Sequence, residues 1–157
     1  MESIDIKLVF AYQKKAGHWI ADIGKLFLLS TFPNEYGKFS TSKWGNDLLR
    51  LEKDLFGCTH DELGLRLIVA WPLRDNLKVA IRYHHNPEHV DTDPALTRVL
   101  RVADVLARSA GIGSSAASEE SAAEFAHEFL GLDEQQLFAI QDEAFNVFIE
   151  TKQIWAG

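Results

Sequence analysis

Trp19-Ile20-Ala21-Asp22-Ile23-Gly24-Lys25-Leu26-Phe27-Leu28-Leu29 is the stretch whose reading decides the fold. It is long and apolar enough for a buried helix of about three turns. Asp22 stands inside it. A carboxylate taken into hydrophobic surface costs several kcal/mol unless something pairs with it, so Asp22 requires a partner. The chain offers candidates much further along, at His60, His84, His85 and Asp104.

Around this stretch the sequence reads as helical throughout. For Ile4 to Tyr12 the alternating pattern also suits a strand, and the helical company downstream favours a helix. Thr31-Phe32-Pro33-Asn34 ends the central helix, and Glu35 to Phe56 reads as a helix in two pieces. Thr59-His60-Asp61-Glu62 is a capping box that opens a helix carrying Leu63, Leu67, Ile68 and Trp71, which Pro72 stops. A further helix spans about Asp75 to His85, with Leu77, Ala80, Ile81 and His84 on one face. Asp93-Pro94 reads as a cap and a first-turn proline. The helix after it repeats Leu96, Val99, Leu100, Ala103, Ala107 and Ala110 at three- and four-residue steps. Beyond the glycine- and serine-rich link at 111–115, two helices are expected at roughly Ser118–Leu130 and Asp133–Trp155. The expectation is an all-α protein.

Composition narrows the function. The chain has 157 residues, of which 46% are hydrophobic and 25% charged, which is ordinary for one globular domain with a sizeable core. A net charge of −7 disfavours nucleic acid and anionic membrane as partners, although Arg98, Arg101 and Arg108 lie close enough for a local basic patch. Cys58 is the lone cysteine, which leaves no internal disulfide and no thiolate zinc cluster. With no cationic leader and no apolar run approaching ~20 residues, a cytoplasmic protein is expected.

His60 is expected in the first turn of its helix, where the positive end of the backbone dipole favours a neutral imidazole. His84 and Asp104 lie at the edges of apolar stripes. Neutral histidines and ionised aspartates meeting from different helices suit a metal site in a bundle. The plain alternatives are a hydrogen-bonded carboxylate at Asp22 and an ion pair from Asp104 to Arg101 or Arg108. His18, His89 and His127 read as solvent-facing.

The blocks ADIGKL, LFGCTHDELGLRLIVAW, AIRYHH and VADVLARSAGIG, in this order and spacing, resemble the HD superfamily and most of all its HDOD subgroup. The resemblance implies an HD-domain-like helical bundle over residues 1–157. Within it, 1–18 would be an N-terminal helix or the remnant of a larger lobe, 19–113 the HD-like core and 118–155 the C-terminal helices. Intact relatives are phosphohydrolases whose divalent metals activate water. The matching ligand positions here are Asp22, His60, His84 or His85, and Asp104, with Lys25 placed to meet a phosphate. Two ligands of the pattern are absent: Ala21 stands where the motif histidine belongs, and no histidine lies well upstream, His18 being too close to Asp22 in sequence to be that ligand.

The resemblance therefore implies a non-catalytic signalling or regulatory module with a vestigial or single-metal site, acting through other signalling proteins or self-association. Faces around Trp19, Phe27 and Phe32 would be left open by a missing lobe. One alternative is a phosphohydrolase acting on a nucleotide or phosphodiester, with a reduced site for Mn, Fe, Mg or Zn. Another is a domain that binds a nucleotide signal without cleaving it.

Overall fold

The computed structural model describes residues 20–38, 47–109 and 121–155. Among them the secondary structure is helical, with no strand. The helices are α1 (Ile23–Thr31), α2 (Pro33–Tyr36), α3 (Leu48–Phe56), α4 (His60–Ile68), α5 (Asp75–Tyr83), α6 (Ala95–Ser109), α7 (Ala122–Leu130) and α8 (Glu134–Trp155), with a 3-10 turn at Pro87–His89. The expected N-terminal helix, His18, the stretch 39–46 and the link at 111–115 lie outside the described residues.

Local chemistry sets the helix ends. Thr59 caps α4 through the full reciprocal box with Glu62. α8 opens on a second box that the sequence reading passed over: Gln136 N donates to Asp133 Oδ1 at 2.8 Å and Asp133 N donates to Gln136 Oε1 at 3.0 Å. α7 closes at Gly131, whose φ of +66° favours a residue without a Cβ. At the start of α6 the expected cap is displaced. Asp93 lies in the left-handed region at φ +50°, and the carbonyl of Pro94 takes the first helical bond, from Arg98 N at 2.9 Å.

α1 packs on α4, α4 on α5, α5 on α6 and α6 on α7. This relay makes α6 the spine. Its Leu100 joins Ala21 and Ala80 in one apolar cluster, while its Val102 joins Ala126 and Leu137 in a second cluster under the C-terminal helices. The sequence suggested a simple amphipathic α6. Instead its middle is buried on nearly all sides, with Arg101 and Arg108 5% and 7% exposed. Those arginines therefore form no surface patch.

Two expectations about the central stretch are corrected. α1 is not buried all round: Gly24, Lys25 and Leu28 face inward, while Leu26, Phe27, Leu29 and Phe32 are 40–49% exposed. Asp22 is not mid-helix either. It is the turn residue immediately before α1, and its side chain is 23% exposed. The reason is contact geometry. Only the Gly24 edge of α1 meets α4, so one stripe is enough to bury.

Candidate metal centre

The site is built where the starts of α1 and α4 meet the end of α5. Gly24 is what allows that approach: a Cβ placed on it would lie 1.9 Å from the carbonyl oxygen of His60. The close crossing brings Asp22, just before α1, to His60, the first residue of α4. His84 and His85 arrive from the turn just past the end of α5. One ligand atom from each of Asp22, His60, His84 and His85 lies within 4.8 Å of the others. The sequence proposed all four, and the fold gathers them.

Asp22 Oδ1 is the common point. It lies 3.7 Å from His60 Nε2, 3.9 Å from His84 Nε2 and 2.9 Å from the Lys25 ammonium, one turn along α1. The Lys25 contact is a close ion pair. Burial by itself would raise the Asp22 pKa. The Lys25 charge, with His60 and His84, reverses this and holds the carboxyl well below the usual range. Burial would likewise lower Lys25, but Asp22, Asp104 and Glu52 raise it overall.

Each imidazole is oriented by a second group. His84 Nδ1–H donates to the Ile81 carbonyl at 2.8 Å, which leaves its Nε2 lone pair aimed inward with no donor. His60 Nδ1–H donates to Glu52 at 2.8 Å, and the His60 backbone N–H reaches the same carboxylate at 2.7 Å. Glu52 is fully buried and also accepts the Tyr36 hydroxyl at 2.6 Å. Burial and Glu52 together push the Tyr36 phenol above its ordinary pKa. At His85 a guanidinium N–H of Arg101 points to Nδ1 at 3.4 Å. Arginine can only donate, so His85 carries its proton on Nε2 and gives it to His60 Nε2, 2.9 Å away.

Asp104 is not one of the four convergent ligands. Its carboxylate lies 3.0 Å from Arg108 and 3.8 Å from Arg101, which is the ion-pair alternative the helical spacing allowed. It acts on the site at longer range, through its charge on Lys25 and His84. His89 and His127 are exposed, as the sequence suggested. Glu52 and Tyr36 were missed. The signal was present, because Glu52 is four residues after Leu48 and three before Leu55, on the apolar stripe of α3. Asp61 was read only as a helix-start acid. It is 1% exposed and paired with Arg82 at 2.7 Å.

Whether this donor set fits a divalent ion is decided by atoms, not by family. Tetrahedral zinc with ~2.0–2.1 Å bonds needs ligand atoms about 3.4 Å apart. Asp22 Oδ1 stands within half an ångström of that from both His60 Nε2 and His84 Nε2. One inward acceptor, His84 Nε2, has no hydrogen-bond donor, and Asp22 Oδ1 meets only the Lys25 ammonium among its described close contacts. Asp22, His60 and His84 therefore fit a three-ligand ion, for which the group would supply Lewis acidity. His85 fits less well, because its Nε2 bears the proton.

The buried imidazoles make stability depend on pH. Burial, reinforced by His60, lowers His84 from 6.5 to about 4 against the opposing pull of Asp22 and Asp104. His85 is also lowered, by burial and then by His84, His60, Lys25 and Arg101. The unfolded chain protonates both near 6.5 while the folded chain does not, so the unfolded state binds more protons. Stability should be flat above pH ~7 and fall as pH drops from 6.5 toward 4, at about 1.4 kcal/mol per pH unit for each histidine. Urea unfolding across this range checks the slope, and His84→Gln should remove its share.

Fold and site together define an all-α domain in which an aspartate before one helix and histidines from two other segments converge on one point. Residues 17–87 match the model of the HDOD domain family. The fold is also that of a crystal structure from Marinobacter aquaeolei VT8, a protein named for a proposed role in signal transduction. The two agree with a TM-score of 0.64 at 20% identity, over 99% of this chain. The chain spans 38% of the length of that protein. None of the curated proteins matches the sequence. No helix among the described residues is long and apolar enough to cross a membrane.

Proposed function

We propose that this chain is a non-catalytic HDOD module of a signalling system, working through protein contacts instead of hydrolysis. The observation that supports this most directly is position 21. Ala21 is 2% exposed, and its methyl packs against Ala80 and Leu100. The residue adjoining Asp22 thus belongs to the apolar core and brings no donor. A two-metal clamp needs ions about 3.5–4 Å apart, each with its own ligands, and four convergent groups do not supply two such sets. The exposed Leu26, Phe27, Leu29 and Phe32 on and just beyond α1 offer the apolar surface for a partner.

One observation favours a second reading. Asp22, His60 and His84 retain the spacing of a three-ligand ion, which supports a reduced single-metal phosphohydrolase. Metal analysis of purified protein, with turnover assays on cyclic dinucleotides and a generic phosphodiester, separates the two. The module reading expects no turnover above the level of Asp22→Ala. Stoichiometric metal with turnover lost in Asp22→Ala would establish the hydrolase. Restoring the missing histidine is a further check. Ala21→His should destabilise the fold by ~1–3 kcal/mol, because Ala80 and Leu100 already fill the space, and should gain no turnover.

A further inference from the structure

The charge of this chain is unevenly placed. Nine of its 23 acidic residues lie between Arg108 and Lys152, a span that holds no lysine or arginine. The other 14 stand against all 16 basic residues, so the negative charge belongs to the C-terminal part. Among the described residues that part is the pair α7 and α8. An open hollow of about 400 Å³ lies between them, with Ala123, Leu132 and Leu137 among its apolar lining and Glu124, Asp133 and Glu134 among its polar lining.

The two kinds of lining differ in how they are held. Leu137 is buried, and Ala123 and Leu132 pack on the cluster it forms with Val102 and Ala126, so the core fixes the floor. Glu124, Asp133 and Glu134 are exposed and form the rim. Among the described residues none of the three has a lysine or arginine in ion-pair range. The rim repels nucleic acid and anionic membrane. Its carboxylates are not among the groups whose ligand atoms converge on one point, so a metal ion fits poorly. A polypeptide with an apolar side chain between basic residues suits both the floor and the rim.

We propose that the hollow between α7 and α8 is a docking site for a basic segment of a partner protein, whose apolar side chain enters it while flanking lysines or arginines face Glu124, Asp133 and Glu134. The inference goes beyond the reading of the metal centre and holds whether or not that centre turns over a substrate. Exposed charge pairs are individually weak, so the apolar anchor supplies the hold and the rim supplies selection and salt dependence.

The test is fluorescence anisotropy of a labelled Arg-Lys-Leu-Phe-Lys-Arg peptide titrated with the full chain. Wild type should bind saturably, and less tightly as salt is raised. Replacing Leu-Phe by Ser-Ser, or the basic ends by glutamates, should cost about tenfold or more. Glu124→Gln, Asp133→Asn and Glu134→Gln combined should weaken binding about tenfold. Asp75→Asn, Glu88→Gln and Asp91→Asn combined, which remove the same charge at exposed positions elsewhere, should leave it unchanged. Ala123→Leu, which fills the floor, should weaken binding as well. The rim variant, altered only at exposed positions, decides the matter should Ala123→Leu fold poorly. Backbone amide shifts on adding peptide should centre on residues 123–137.

No saturable binding by wild type would overturn the proposal, as would equal binding of the serine peptide or an equal loss in both charge-removal sets. Amide shifts centred on α1 would overturn this inference and leave the protein-contact reading standing.

Discussion

Glu52→Ala should destabilise the protein by about 3–5 kcal/mol, the cost of breaking a buried charged network by deleting one partner. Glu52 is fully buried and accepts three donors: the Tyr36 hydroxyl at 2.6 Å, the His60 backbone N–H at 2.7 Å and His60 Nδ1–H at 2.8 Å. Alanine would strand all three away from water. For a chain of this size the melting temperature should fall by roughly 10 °C. Glu52→Gln keeps the shape and part of the acceptor capacity, so its loss should be nearer 1–2 kcal/mol. Urea unfolding with an unchanged m-value is the measurement. A Glu52→Ala midpoint within ~0.5 kcal/mol of wild type would mean that Glu52 does not anchor His60.

The second large effect is at Gly24, and it has its own control. A Cβ at Gly24 would lie 1.9 Å from the His60 carbonyl oxygen, which is backbone and cannot swing aside. α1 and α4 would have to separate. We expect Gly24→Ala to lose about 2–3 kcal/mol even after the ~1 kcal/mol that alanine returns as a better helix former. The same substitution at Gly64, within α4, meets Ile23 Cγ2 at 3.6 Å and Ile81 Cγ2 at 3.7 Å, which is ordinary contact. Gly64→Ala should be neutral or stabilising by up to ~1 kcal/mol. Equal responses from the two glycines would contradict the close crossing on which the site depends. Because that crossing also sets the Asp22–His60 distance, Gly24→Ala should weaken any binding of a divalent ion.

How much of this was legible beforehand differs from residue to residue. The box at Thr59 and Glu62 placed His60 at the first position of a helix, since capping is local chemistry within four residues. Asp22, His60, His84 and His85 were named from their order and spacing, and all four converge. Asp104 was named with them, yet it lies against Arg108, because a charged residue at a stripe edge has the same pattern whether it faces a site or a neighbouring turn. Glu52 went unseen for a related reason. Its place on the α3 stripe was visible, but its partners Tyr36 and His60 are 16 and 8 residues away.

By itself the sequence determined the helical class and the capped start of α4, because each depends on residue chemistry over one or two turns. Only the tertiary structure decided that Lys25 pairs with Asp22 and that His85 gives its proton to His60. Those are matters of distance across helices. Periodicity records which residues share a face, and only packing fixes what that face meets.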